Sequence, residues 1–342
     1  MLYRFQYHPY HRPFKHPLQT SHGTWSVRSG IILQLTDDRG TIGFGEIAPL
    51  PWFGTETLEA ALAWCDRLPT EMTAQKLLAI PDRFPACQFG FESALHDAIA
   101  NGEREPIASV QGDREERPDT LPVSHLLPAG TAAFAVLAET LAALPQPTAT
   151  GSQSAANCTF KWKIGIADVE WELDTFHQFM SALPTTCKLR LDANGGFNFD
   201  RAVRWLEALD RYPHLEFIEQ PLPVADFSQM LELSQHYQTP IALDESVATL
   251  SQLCTCYDRG WRGIFVIKPA IAGSPAQLSR ICQQYDLDTV FSSVFETPIG
   301  TKASLQLAAR LQKYPRAVGF GVDRWFAQSG DRWLKGFWLV ES

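Results

Sequence analysis

Cysteine, long apolar runs and positive charge are what this sequence has little of. Its seven cysteines among 342 residues are scattered, odd in number and without a CxxC pair. Cys254 and Cys256 alone are close, at a spacing unsuited to the usual zinc or redox motifs, so a reducing compartment is expected. No apolar run reaches the roughly eighteen residues that a membrane-spanning helix needs. The first residues, MLYRFQYHPYHRPFKHPL, are polar and aromatic and lack an apolar core of signal-peptide length, which makes the cytoplasm the expected location. With 29 Lys and Arg against 38 Asp and Glu, the formal charge is −9. That balance argues against a surface that neutralises phosphates, so neither nucleic acid nor an anionic membrane is an expected partner. An anionic small molecule would need a locally positive site. What is present, 45% hydrophobic and 20% charged residues, suffices for a large core plus a smaller domain and excludes a disordered or fibrous chain.

From Leu2 to about Glu46 the chain reads as strands, LYRFQY, SVRSGIILQLT and TIGFGE, with a turn at Asp37-Asp38-Arg39-Gly40. Two amphipathic helices are expected next, in ETLEAALAWCDRL and QFGFESALHDAIA, where apolar residues recur at three and four. The charged, aperiodic stretch GEREPIASVQGDREERPDT reads as a connection, and the boundary falls near Leu121. An α+β unit over 1–118 is therefore expected, completed by about 325–342, whose aromatic-rich WLKGFWLVES packs back onto it. Over 119–324 the apolar segments PVSHLL, TFKWKIG, KLRLD, LEFIE, PIALD, GIFVIK, TVFSS and AVGFG alternate with helical ones. Such βα repetition calls for a parallel sheet, and eight strands over this length suit a closed barrel. PQPTATGSQSAAN reads as a loop within it.

At the C-terminal ends of consecutive candidate strands stand Lys163, Asp192, Glu219, Asp244, Lys268 and Ser292. They recur at intervals of roughly 25 residues, one βα unit each, so a barrel would bring them to one mouth, where barrel active sites lie. Singly, an aspartate after a strand caps a loop or helix, and a lysine there reaches solvent. Jointly, three carboxylates from neighbouring strands would repel one another unless a cation neutralised them. All-oxygen ligands without nearby His or Cys point to Mg2+, with Mn2+ as its substitute. Lys161 and Lys163 lie on one face of their strand and Trp162 on the other. Repulsion between the two ammonium groups, together with the adjacent metal, should depress one pKa and yield a general base, with Lys268 facing it; the plainer alternative is a pair of structural ion pairs with Asp192. Gly43-Phe44-Gly45-Glu46-Ile47-Ala48 matches GxGxxA, but Pro49 and Pro51 stand where a phosphate-binding helix should run.

TFKWKIG, LRLDANGG, FIEQPL, ALDES and VIKPA together resemble the enolase superfamily, in its muconate-lactonizing subgroup. The resemblance covers nearly the whole chain and implies a (β/α)7β barrel of TIM type with an α+β N-terminal capping domain. It implies Lys163 as general base with Lys161 beside it, Lys268 as second catalytic lysine, and Asp192, Glu219 and Asp244 as magnesium ligands. Within the subgroup, GTWSVRSGIIL, GFGEIAPLPWFGTETLEAA and SSVFETPIG resemble the o-succinylbenzoate synthase family of menaquinone and phylloquinone synthesis. That implies a dehydratase making 2-succinylbenzoate, with Ser292 and Ser293 near the substrate and Trp52 and Phe53 on a lid over the barrel mouth; the plainer alternative for the Pro51 to Gly54 loop is inter-domain packing. The relatives that epimerise dipeptides carry an acidic pair at the eighth strand; GFGVD offers only Asp323. An N-acylamino acid racemase would share the same metal site and both lysines. A catalytically silent barrel would have lost a ligand or base, and none is lost.

Overall fold

The computed structural model describes residues 1–20, 23–103, 121–143 and 158–341. The first unit is an antiparallel sheet of β1 (Leu2–Thr20), β2 (Gly23–Asp37), β3 (Ile42–Ile47) and β4 (Glu71–Thr73), ordered β3-β2-β1-β4. Alternation puts Tyr3, Phe5, Ile31, Leu33 and Leu35 on one buried face. That face packs on α1 (Leu58–Asp66), α2 (Ala74–Leu77) and α3 (Pro85–Glu103). The two helices read from periodicity are α1 and α3, while β4 and α2 are too short for any period to reveal. Gly43 and Gly45 have a structural cause unrelated to nucleotides. A Cβ on Gly43 would lie 2.2 Å from Ala98 N, and one on Gly45 2.0 Å from Gly90 O, so α3 lies directly on the β3 backbone.

The barrel runs β5 (His125–Leu127), α4 (Ala132–Ala143), β6 (Thr159–Lys163), α5 (Val169–Ala182), β7 (Lys188–Asp192), α6 (Phe199–Leu209), β8 (Leu215–Glu219), α7 (Phe227–His236), β9 (Ile241–Leu243), α8 (Leu250–Asp258), β10 (Ile264–Ile267), α9 (Pro269–Ala272), α10 (Pro275–Tyr285), β11 (Thr289–Phe291) and α11 (Pro298–Leu311). All its strands pair in parallel, in chain order. The eighth expected strand, AVGFG, is reduced to bridges: Val318 with Val123 ahead of β5, and Gly319 with Ser292 past β11. Those two bridges join the last strand to the first, so the architecture is the TIM-like barrel with its capping domain.

The two units share a core in which Ala48, Leu50 and Phe89 meet Ala248, Ala270, Ile271, Val294 and Leu307. Helix α12 (Gly330–Glu341) lays Trp333 against Tyr10, with ring centroids 5.3 Å apart. The expected connection over 102–120 opens as the last turn of α3 at Gly102 and Glu103. Its remainder, the boundary at 118–119 and the loop at 145–157 lie outside the described residues. No described helix is long and apolar enough to cross a membrane.

The cysteines correct one expectation. Cys158 and Cys187 are joined by a disulfide, with Cα atoms 4.7 Å apart. They stand just ahead of the paired strands β6 and β7, where Lys188 N–H donates to Cys158 C=O at 2.8 Å. Strand register brings them together, which no CxxC spacing could announce, and it removes cysteine usage as an argument for a reducing compartment.

Candidate active site

Strand pleating decides what enters the barrel. On β6, Trp162 turns outward and stacks on Phe179 of α5 at 5.8 Å, so Lys161 and Lys163 turn inward. Lys163 pairs in register with Asp192, and Asp192 with Glu219, which sets these three side by side on adjacent strands. Asp244, Lys268 and Ser292 each stand one residue past their strands. A cavity of ≈ 270 Å³ at this mouth is lined from the barrel by Lys161, Lys163, Asp192, Asp244, Lys268, Ser292 and Ser293. Glu219 lies beneath it, 2% exposed.

The capping unit supplies the opposite wall. A single turn at Pro51–Phe53 puts Trp52 and Phe53 into the cavity, beside Leu18 and Trp25 from the hairpin β1–β2. Trp52 meets Trp25 edge-on at 5.2 Å, and the Phe53 ring lies 4.7 Å from Lys268 Nζ. Arg28, 2% exposed, holds the approach to this turn by donating to the carbonyls of Ala48 and Pro49.

The three lysines differ in what they touch. Lys161 Nζ lies 2.7 Å from Glu219 Oε1 and 2.8 Å from Asp192 Oδ2. Lys268 Nζ pairs with Asp244 Oδ1. Lys163 makes no ion pair or hydrogen bond with a described residue. Burial opposes the charge of Lys161, but Asp192 and Glu219 outweigh it and hold the ammonium well above its ordinary range. Burial instead lowers Lys268 to about 7, with Lys161 assisting and Glu219 and Asp192 resisting. Within the expected pair Lys161 is thus raised rather than depressed, and a depressed pKa belongs to Lys268 across the barrel. Of the ion pairs weighed as the plainer alternative, the one to Lys161 is present and the one to Lys163 is not.

The carboxylates are crowded. Burial and Asp192 raise the pKa of Glu219, and the same two causes push Glu245 to about 7. One oxygen of Glu245, Oε2, is buried without a hydrogen-bond partner. Among the described residues, no three His, Cys, Asp or Glu side chains form a metal-ligating group as they stand. Lys161 and Lys268 occupy oxygens of Asp192, Glu219 and Asp244 instead. In chemistry the set fits a hard divalent cation: all its donors are oxygen, and its carboxylates outnumber the ammonium groups paired to them.

Three residues unread in the sequence shape this mouth. Gln220, fully buried at φ 39°, accepts from the Asp244 and Ser246 N–H groups at 3.0 and 3.2 Å, tying the end of β8 to that of β9. Asn194, at φ 45°, donates to Glu245 at 3.2 Å. Phe295, at φ 63°, completes the aromatic wall. Left-handed backbone at non-glycine residues is uncommon, and three of the four such residues described ring this mouth. In the sequence Gln220 and Asn194 lie inside FIEQPL and LRLDANGG, just past Glu219 and Asp192, and nothing else singles them out.

Comparison with known proteins agrees with this fold. Residues 150–330 match the model of the enolase C-terminal domain-like family, and residues 2–98 that of the MenC N-terminal domain. The o-succinylbenzoate synthase of Thermosynechococcus vestitus is 39% identical over 94% of this chain and 93% of its own. A crystal structure of o-succinylbenzoate synthase from Thermosynechococcus elongatus, complexed with Mg in its active site, superposes with a TM-score of 0.83. It is 37% identical and covers 98% of this chain and 99% of that one. A dipeptide epimerase from Methylococcus capsulatus shares the fold, with a TM-score of 0.76 at 22% identity over 96% of this chain and 93% of that one. Identity of this extent over nearly the whole of both proteins means that the chain belongs to the o-succinylbenzoate synthase family of enolase-superfamily enzymes.

Proposed function

We propose that the protein is a magnesium-dependent carbon–oxygen lyase of the cytoplasm, an o-succinylbenzoate synthase of menaquinone or phylloquinone biosynthesis. Mn2+ would substitute for Mg2+, and the units would divide at 118–119, with 325–342 completing the first. The carrying observation is a single cavity with Lys163, Asp192, Asp244 and Lys268 on one side and Trp25, Trp52, Phe53 and Phe295 on the other. A carboxylate attached to an apolar ring suits both walls.

Lys163, whose amine has no described partner, takes the proton α to the substrate carboxylate and delivers it to the departing hydroxyl on the same face. One C–H and one C–O bond break, one C=C bond forms, and water and 2-succinylbenzoate result. Asp192, Glu219 and Asp244 would hold Mg2+, which supplies positive charge to carboxylate oxygens as proton removal loads them with electrons. Lys161, bonded to Asp192 and Glu219, favours the ionised form of both and holds them in place. Lys268, as a cation beside the cavity, stabilises the same developing charge.

A second reading has its own observation: the Lys268 pKa, lowered to about 7, would let this amine serve as a second base, as in a racemase. Product formation and α-proton exchange in D2O, measured for Lys163→Ala and Lys268→Ala, separate the two. The synthase predicts that Lys163→Ala loses dehydration by at least about a hundredfold. Lys268→Ala should lose on the order of a hundredfold without enantiomer-selective exchange. A racemase predicts complementary variants, each exchanging one enantiomer. Near wild-type dehydration by Lys163→Ala would refute the assignment of the base.

A further inference from the structure

One buried carboxyl beside the cavity has no part in this mechanism. Glu296 is 2% exposed and lies in the loop between β11 and α11. Its Oε2 accepts from Ser293 Oγ at 2.7 Å and from the Val294 N–H at 2.7 Å. Ser293 Oγ in turn accepts from the Phe295 N–H at 2.9 Å. Phe295, enclosed by this ring of hydrogen bonds, carries the φ of 63° that a bulky side chain rarely adopts. Held there, its ring meets Phe14 and Trp25 edge-on at 5.4 and 5.5 Å.

The capping unit braces the same loop. Glu46 on β3 is fully buried and accepts from the Thr297 N–H, the Thr297 hydroxyl, the Gly300 N–H at 3.0 Å and the Tyr10 hydroxyl. A Cβ on Gly300 would lie 2.7 Å from Glu46 Oε2, so the carboxylate reaches the first turn of α11 only because glycine stands there. The residues that follow Glu296 are thus anchored by side chains distant in sequence.

A serine hydroxyl has one proton and two lone pairs. That of Ser293 gives its proton to Glu296 and one lone pair to the Phe295 N–H, so only an acceptor remains for the cavity it lines. We infer that Glu296 is a positioning residue for substrate: it fixes Ser293 as a hydrogen-bond acceptor and holds Phe295 in the aromatic wall. The site so built favours a ligand that presents a hydroxyl donor beside an apolar ring. The choice of substrate, though not the geometry, rests on the dehydratase reading.

The test uses Glu296→Gln, Glu296→Ala, Ser293→Ala and the Ser293→Ala/Glu296→Ala double variant, with kcat, KM and amide exchange at Val294 and Phe295 as readouts. Glu296→Ala should raise KM roughly tenfold and affect kcat less. A glutamine amide oxygen accepts both hydrogen bonds, so Glu296→Gln should keep KM within about twofold of wild type. The double variant should be no worse than the poorer single one, because the two residues act as one unit. The Val294 and Phe295 amides should exchange faster in Glu296→Ala and at wild-type rates in Glu296→Gln. Unchanged KM in Glu296→Ala, or additive losses in the double variant, would overturn the inference. If the wild type forms no product, the dehydratase reading fails, and amide exchange still decides whether Glu296 positions the loop.

Discussion

Glu216 and Glu219 stand on the same strand, both buried, and burial opposes the charge of each, yet their pKa values move in opposite directions. At the lower end of β8, Arg190 approaches Glu216 to 2.7 Å and Arg316 to 2.9 Å, and together with Lys188 they lower its pKa. Arg316 is itself held by Asp288 at 2.7 Å, so the lower-end charges are matched nearly one for one. At the mouth, Glu219 shares a single ammonium, Lys161, with Asp192, and Glu245 crowds against both. A buried carboxylate with its own cation is explained by the fold alone. One left short of cations is what a site for a divalent cation would require.

Exchanging charge for shape at the two ends should break the molecule in different ways. Glu219→Gln is expected to cost on the order of a hundredfold or more in kcat, with unfolding free energy unchanged or raised, because a crowded buried charge is removed. Glu216→Gln should leave kcat within about twofold and cost roughly 3 kcal/mol in urea denaturation, because Arg190 and Arg316 lose their partner inside the protein. Equal loss of stability in both variants would erase the contrast.

The capping wall should follow the mouth rather than the lower end. Trp52→Ala and Phe53→Ala are expected to raise KM by roughly tenfold while costing under about 1 kcal/mol of stability, as befits a wall that closes over substrate. A large loss of stability with unchanged kinetics would make them ordinary interface packing.

The smallest effect concerns Glu296, which burial raises to about 7. A carboxyl whose folded pKa exceeds its unfolded value favours the fold while protonated. Its contribution is complete below the ordinary 4.5 and is lost as pH rises through about 7. Glu296→Gln cannot ionise, so its melting temperature relative to wild type should climb by a few degrees between roughly pH 5 and 8. A constant difference across that range would contradict the assignment.

These contrasts also mark what sequence could carry. Lys163, Asp192, Glu219, Asp244 and Lys268 were legible because each ends an apolar strand, and βα spacing brings strand ends to one face. Glu245, Asn194 and Gln220 follow those strands as any loop cap would, and only their contacts distinguish them. Glu46 and Glu296 are far apart in the chain, and their relation exists only once β3 lies against α11. Which lysine is stabilised as a cation and which is depressed depends on the carboxylates each one reaches, a matter of side-chain geometry rather than spacing. The Cys158–Cys187 bond likewise depends on the register of β6 against β7.

If the carboxylates at the barrel mouth serve a metal-assisted reaction and not the fold, turnover depends on a divalent cation and folding does not. Dehydration of the cyclohexadiene precursor to 2-succinylbenzoate by the purified protein, followed in excess chelator and again after adding Mg2+, tests it most directly. Activity should vanish with the chelator and return with Mg2+, while the folded state persists throughout; full turnover in excess chelator would rule out a metal-assisted reaction.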